Sequence, residues 1–238
     1  MSLNLIIHSD LHFTADGIRP DKASNISTIE NMHEPIDAII CAGDLTHSGH
    51  DGKNVCGLWY YGGKQDQVTP LRTYIKKLEE IAPVYLCDGN HDGYVPWPYC
   101  HKGVRDLIEE RHKSLLYSWD LHKEGFAKSF HFICLSVYPD KDALKFLKAD
   151  LKKNTDKYNV IYFHYNIEGR WSDWWTDVEK GAFYETIKDH NVKLIIVGHS
   201  HNNYLVKWNG INVASGAGSK VALCTILNDG TITVTEHK

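Results

Sequence analysis

Pro83-Val84-Tyr85-Leu86-Cys87-Asp88-Gly89-Asn90-His91-Asp92 joins an apolar run directly to a group of small and polar residues. The apolar half predicts a buried strand, so the polar half places side-chain chemistry where that strand ends. Asparagine offers a neutral carbonyl oxygen, histidine offers a titratable ring nitrogen, and glycine permits a tight turn without a Cβ clash. Alone, the last four residues are a weak signal. Their meaning depends on whether other strands end in the same way.

Four further apolar runs end in polar residues of the same kinds. Each ending alone is more often a turn aspartate or a surface histidine, but the repetition is hard to attribute to packing. Residues i and i+2 of an extended chain point the same way, which predicts that the two ligands of a DxH or HxH ending converge. The runs are 3–9, 36–42, 159–163 and 193–197, and they are followed by Asp10-Leu11-His12, Gly43-Asp44, His164 and Gly198-His199-Ser200-His201.

Helical and strand patterns fill the remainder of the chain. Helices are predicted near 24–34, 69–81, 104–112, 144–153 and 178–190, and a further strand over 129–137. The tail from 203 to 238 alternates apolar and polar residues around the turn signals Asn209-Gly210 and Asn228-Asp229-Gly230. It predicts a second, antiparallel sheet region. No composition shift divides the chain, so a single domain over 1–238 is expected.

Composition limits the classes of function. With 42% hydrophobic and 24% charged residues the chain is typical of a globular protein with a sizeable core. A net charge of -4 without a basic stripe argues against an obligate nucleic-acid partner. No apolar run reaches membrane-spanning length, and the N-terminus lacks a signal-peptide pattern. The six cysteines show no CxxC pairing, which favours reduced thiols and a cytoplasmic location. The 15 histidines exceed what packing requires.

The five polar endings, in this order, resemble the blocks of the calcineurin-like metallophosphoesterase superfamily, most closely its compact, cyclic-nucleotide-phosphodiesterase-like branch. The resemblance implies an α/β fold in which two mixed β-sheets pack as a sandwich flanked by helices, with two divalent metal ions at the strand ends. Oxygen and imidazole ligands without thiolates suit manganese, iron or zinc. The resemblance assigns Asp10, His12 and His201 to one metal, Asn90, His164 and His199 to the other, and Asp44 to both.

The same resemblance implies a catalytic role for His91, which is not a ligand in the family. It is expected to protonate the departing alkoxide or to stabilise the phosphoryl oxygens. Asp92 is expected to orient the His91 imidazole. Asn90 and His91 are both expected to contact the substrate.

Two classes of function follow from the resemblance. Some superfamily members keep the fold without metals or catalysis and serve as scaffolds, usually with broken ligand blocks. Every ligand position is present here, which favours a metal-dependent phosphoesterase over a non-catalytic binding module. The expected substrate is a small phosphate ester, with nucleotides among the candidates. Whether the substrate is a monoester or a diester stays open, as does the oligomeric state.

Candidate substrate contacts surround these blocks. His47 lies just beyond Asp44, and Arg170 follows His164, where it can grip a second phosphate. Aromatic clusters at 59–61, 94–99 and 171–175 can stack bases or sugars, or can pack the loops onto the body. Tyr165 and Asn166 stand where many members have a histidine or proline, which affects the pocket shape.

Overall fold

The computed structural model describes residues 1–49, 51, 66–93 and 103–237. The aromatic clusters at 59–61 and 94–99 lie outside these residues. The described residues form eleven strands: β1 (Ser2–His8), β2 (Ala38–Ala42), β3 (Val84–Cys87), β4 (Leu116–Leu121), β5 (Phe130–Leu135), β6 (Tyr158–Tyr162), β7 (Val192–Val197), β8 (Tyr204–Trp208), β9 (Ile211–Ser215), β10 (Val221–Leu227) and β11 (Ile232–His237). The helices are α1 (Pro20–Glu30), α2 (Val68–Glu79), α3 (Gly103–His112), α4 (Lys141–Lys153) and α5 (Asp177–Ile187).

The strands build two mixed sheets. The first has the order β11-β10-β1-β2-β3, with β1, β2 and β3 parallel and β10 antiparallel to β1. The second has the order β4-β5-β6-β7-β9-β8, with β5, β6, β7 and β9 parallel. Parallel neighbours end at the same edge of a sheet. The polar segments after β1, β2, β3, β6 and β7 therefore collect at one end of the molecule.

Successive side chains along the strands of the second sheet point to opposite faces, which creates an apolar layer on each face. In β5, Phe132 and Cys134 pack toward the first sheet, while Ile133 and Leu135 pack in a separate cluster with side chains of α4 and α5. The hydroxyl of Tyr117 on β4 donates to the carbonyl of Leu86 on β3 at 2.7 Å, which joins the two sheets directly. The predicted sandwich flanked by helices is confirmed.

Three local predictions were wrong or incomplete. The tail does not form its own sheet region, because the hairpin β8–β9 joins the second sheet and β10–β11 joins the first. Helix α1 begins at Pro20, four residues before the predicted start, and proline suits a first helical position because its missing N–H has no partner there. Strand β4 was not predicted; its sequence, Leu-Tyr-Ser-Trp-Asp-Leu, lies between charged segments.

Candidate metal centre

One cluster of donors joins the loop after β1 to the loop after β7. The Nε2 atom of His201 lies 3.3 Å from Oδ1 of Asp10 and 3.5 Å from Nε2 of His12. These three side chains are those that the family resemblance assigned to one metal. The structure brings them together.

A second cluster gathers donors from the ends of β2, β3, β6 and β7. Nε2 of His164 is at its centre, 3.2 Å from Oδ2 of Asp44, 3.1 Å from Oδ1 of Asn90 and 3.2 Å from Nδ1 of His199. This is the set expected for the other metal.

Asp44 connects the two clusters. Its Oδ2 atom lies 3.2 Å from His164 in the second cluster and 3.9 Å from Nε2 of His12 in the first. Its Oδ1 atom accepts a hydrogen bond from the backbone N–H of His91 at 2.8 Å, which fixes the carboxylate plane. One buried carboxylate thus reaches both donor sets, as a bridging ligand must.

These residues fit divalent metal ions. Donors bound at about 2.1 Å around a tetrahedral or octahedral ion lie roughly 3.0–3.4 Å apart, close to the separations in both clusters. Oδ1 of Asp10 is buried and accepts no hydrogen bond from the described residues; Nε2 of His201 lies 3.3 Å from it. A buried carboxylate oxygen without a donor is costly, and a cation beside Asp10 would offset that cost.

Neighbouring groups fix the orientation of the ligands. Nδ1 of His164 donates to the carbonyl of Ala42 at 2.9 Å, which leaves Nε2 as the nitrogen that faces the cluster. Oδ2 of Asp10 accepts hydrogen bonds from the hydroxyl of Ser9 and, at 3.0 Å, from the N–H of His199. Ser9 was not singled out from the sequence; its one signal is its place beside an acid at the end of a strand.

The ionisation of the ligands follows from burial and from Asp44. Burial lowers the pKa of His12 to about 3, and burial with the nearby His164 lowers the pKa of His199 to about 4, so both rings keep a free electron pair. Burial alone would lower the pKa of His164, but attraction to Asp44 outweighs it and raises this pKa to about 9. The same attraction outweighs burial at Asp44 and holds the pKa of its carboxyl below its ordinary value.

The ligand pairs converge by a different route from the one predicted. Strand β1 ends at His8 and β7 at Val197, so the DxH and HxH segments are not extended. Their ligands have left-handed backbone, with φ of 55° at Asp10, 46° at His12, 66° at His199 and 57° at His201. The alternation of an extended strand therefore does not explain the convergence. Tight left-handed turns do.

The backbone at Gly89 lies so close to Asp44 that only glycine fits there. A Cβ atom at this position would lie 2.2 Å from Oδ1 and 2.3 Å from the backbone nitrogen of Asp44. The glycine allows the loop after β3 to pack directly on the Asp44 carboxylate.

A cavity of about 400 Å³ opens above the two clusters. His91 lines it, with Nε2 3.9 Å from Oδ2 of Asp44. The Nδ1 atom of His91 is held by the backbone carbonyl of His47 at 2.8 Å, and the exposed His47 ring also lines the cavity.

Comparison with known proteins identifies the family. The sequence profile described as calcineurin-like phosphoesterase matches residues 3–203, which contain every ligand named above. The chain belongs to the calcineurin-like phosphoesterase family. No curated protein matches this calcineurin-like phosphoesterase in sequence at a significant level.

Solved structures share its fold at low identity. GAP50, the anchor in the inner membrane complex of Plasmodium, is 15% identical with a TM-score of 0.68, over 99% of this chain and 84% of that one. A dimetal phosphatase from Danio rerio is 12% identical with a TM-score of 0.63, over 98% and 95%. The phosphopantetheinyl hydrolase of Mycobacterium tuberculosis is 12% identical with a TM-score of 0.54, over 91% and 90%.

Asp92 does not have the predicted contact in this family member. Its carboxylate is fully buried and accepts from the backbone N–H groups of Leu45 and Gly89, at 3.0 and 2.9 Å, and from the N–H and hydroxyl of Thr46, both at 2.9 Å. It ties the loop after β2 to the loop after β3. The His91 imidazole is held instead by a backbone carbonyl, so the imidazole-orienting role assigned to Asp92 is corrected.

The aromatic residues of segment 171–175 differ in role: one packs the loop onto the body, and two are placed where they could stack on a substrate. Trp175 is 2% exposed and packs in the core, whereas Trp171 and Trp174 line the cavity. The Arg170 guanidinium lies over the Trp171 ring, 3.9 Å from its centroid. The cavity lining, as far as the described residues form it, does not include Arg170. Its expected contact with a second phosphate stays a prediction.

A further finding concerns membranes. In the described part of the chain, every helix is too short or too polar to cross a bilayer.

Proposed function

We propose that this family member is a dinuclear metal-dependent phosphoesterase that acts on a small phosphate ester. The observation that carries the proposal is the position of Asp44, whose Oδ2 atom lies within 3.9 Å of Nε2 of His12 and 3.2 Å of Nε2 of His164, beneath one cavity. The alternative, a binding module without catalysis, does not need two complete donor sets joined by a shared carboxylate.

The ligand assignment follows the two clusters. Two divalent transition ions, manganese, iron or zinc, when bound, lower the pKa of water to supply hydroxide and neutralise the phosphoryl oxygens. Asp44 would be shared between them. One site would be held by Asp10, His12 and His201, and the other by Asn90, His164 and His199.

His91 is suited to act as the general acid. Because Nδ1 of His91 donates its hydrogen bond to the carbonyl of His47, Nε2 is the nitrogen that faces the cavity. In the protonated ring, Nε2 can donate to a departing alkoxide or to a phosphoryl oxygen.

Asn90 is suited to two tasks. Its Oδ1 atom lies beside His164 at 3.1 Å, and its buried Nδ2 has no hydrogen-bond partner among the described residues. Since Asn90 also lines the cavity, its amide N–H can donate to a phosphoryl oxygen, which would satisfy that group.

Metal content and turnover test the proposal together. Protein purified with manganese should hold close to two ions per chain and hydrolyse aryl phosphates, and comparison of mono-aryl with bis-aryl phosphate should separate monoesterase from diesterase activity. Asp44→Asn should lose metal and turnover, and the exposed Asp156→Asn should keep both. Two ions without turnover of any ester would favour the binding module, and no bound metal would reject both metal sites. The cytoplasmic location, a single domain, the sub-branch and the absence of a nucleic-acid partner stay predictions.

A further inference from the structure

Two indole rings stand beside the metal clusters. The centroid of Trp174 lies 4.7 Å from the imidazole of His199, and that of Trp171 lies 5.7 Å from the imidazole of His201. His201 belongs to the first cluster and His199 to the second. A phosphoryl group held by both clusters therefore has its substituents within reach of the indoles.

Hydrogen bonds of a buried side chain hold segment 168–175, which carries these two rings, in one conformation. The buried Asn166 donates its amide to the carbonyls of Glu168, at 3.1 Å, and Arg170, at 2.5 Å. The carbonyl of Asn166 in turn accepts from Nε1 of the buried Trp175 at 3.0 Å. A preformed loop presents its side chains without an ordering cost on binding.

Neither cavity-lining ring is buried in the core. Trp171 has φ of 61°, a conformation that is unfavourable for a residue with a Cβ atom. Trp174 is 46% exposed, and of the exposed large apolar side chains in the described residues it is the one that lines this cavity. Arg170 covers part of Trp171, so Trp174 offers the larger accessible surface.

We infer that Trp171 and Trp174 form a stacking wall that selects phosphate esters carrying a planar aromatic group, a nucleobase above all, over esters of the same sugar without a base. The inference rests on the proposed phosphoesterase function and names its substrate class. Every nucleobase offers a π-face, so the wall would favour nucleotides as a class rather than one base. The Trp174 face makes the main contact, and Trp171 with its stacked Arg170 supports the wall.

Adenosine 5′-monophosphate and ribose 5-phosphate are a matched pair for the test. They share the phosphate and the alkoxide and differ at the anomeric carbon, which carries adenine in the nucleotide and a hydroxyl in ribose 5-phosphate. Their binding to the manganese-loaded protein is measured by calorimetry in a His91→Ala background, which slows turnover during the titration by the loss of the general acid. The nucleotide is expected to bind roughly tenfold more tightly, and Trp174→Ala should remove that preference while leaving ribose 5-phosphate binding unchanged.

Trp174→Phe should keep most of the preference, because a smaller aromatic ring still stacks. Val178→Ala, which alters another exposed apolar residue, should keep all of it. Equal binding of the two ligands, or no binding of either, would overturn the wall, as would a preference that survives Trp174→Ala. Equal weakening of both ligands by Trp174→Ala would also overturn it and would show that the indole only positions His199. Failure of the phosphoesterase proposal has a separate readout, since the parent protein would then hydrolyse no ester.

Discussion

The ring of His91 is held by the backbone carbonyl of His47, with Nδ1 of the ring 2.8 Å from the oxygen. The carbonyl fixes which nitrogen carries the proton and turns Nε2 toward Asp44. The side chain of His47 is not needed for this contact.

The contact predicts different effects of the two histidines. His91→Ala should reduce kcat by about 10²–10⁴-fold, the usual contribution of a general acid, while both metals remain bound. His47→Ala preserves the carbonyl and should retain most turnover, with any effect confined to KM because His47 lines the cavity. Steady-state kinetics and metal analysis measure both. Equal losses of kcat in the two variants would show that the backbone contact does not separate their roles.

Gly89→Ala should damage the metal centre. The added Cβ would lie 2.2 Å from Oδ1 of Asp44, and the displacement it forces should cost about 1–3 kcal/mol of unfolding free energy and weaken metal binding. Gly181→Ala is the matched control, because a Cβ there meets nothing within 4 Å and α5 gains stability of roughly 0.5–1 kcal/mol. Urea unfolding and metal titration give both values. Unchanged metal affinity in Gly89→Ala would show that the loop yields without moving Asp44.

Asp92→Asn should affect stability before it affects the chemistry of His91. The asparagine amide has only one oxygen that accepts hydrogen bonds, whereas both carboxylate oxygens of Asp92 do. At least one buried N–H of Leu45, Thr46 or Gly89 therefore loses its acceptor, at a cost of about 1–3 kcal/mol. Urea unfolding should show that loss, together with weaker metal binding. A stable, fully metallated variant with an altered pH profile of kcat would instead restore the imidazole-orienting role.

His131 should make stability depend on pH. Burial alone would lower its pKa, but hydrogen bonds at 2.6 Å to Asp150 and to Asp120 outweigh burial and raise it. The folded protein then binds this proton more tightly than the unfolded chain does. The stabilisation is complete below the unfolded pKa of about 6.5 and is lost as pH rises through the raised folded pKa.

The test compares His131→Gln with the parent protein by urea unfolding at about pH 6 and about pH 9. The difference in unfolding free energy should be larger at the lower pH. His33→Gln, at an exposed position, should show no such trend. A difference that grows toward alkaline pH would contradict the sign argued here.

The sequence was sufficient to predict the buried strands and the end of the sheets at which their polar endings meet. Apolar runs such as residues 194–197 of β7 are strands because they are buried on both faces. The order of the strands in the sheets places the polar endings at a common edge. Strand β4 was missed because it lies at a sheet edge and carries Ser118 and Asp120. The sheet that each hairpin of the tail joins depends on long-range pairing, which local alternation does not encode.

For the site, residue types were predictable and contacts were not. The ligand set came from five ordered blocks, but their convergence depends on left-handed turns that no strand pattern indicates. Asp92 illustrates the same limit: its neighbour His91 suggested a partner along the chain, whereas its partners are backbone groups of another loop. Trp175 and Trp174 are adjacent and chemically alike, yet one is core and the other lines the cavity.

The left-handed turns also bear on how such a protein changes over evolutionary time. Asp10, His12, Asp44, His199 and His201 all have φ between 46° and 66°. This backbone conformation costs about 1–2 kcal/mol for most residues that carry a Cβ atom, and less for aspartate. A lineage that no longer used metals would gain stability by accepting glycine or asparagine at these positions. On backbone strain alone, the change from these residues to glycine is favourable and the reverse change is unfavourable.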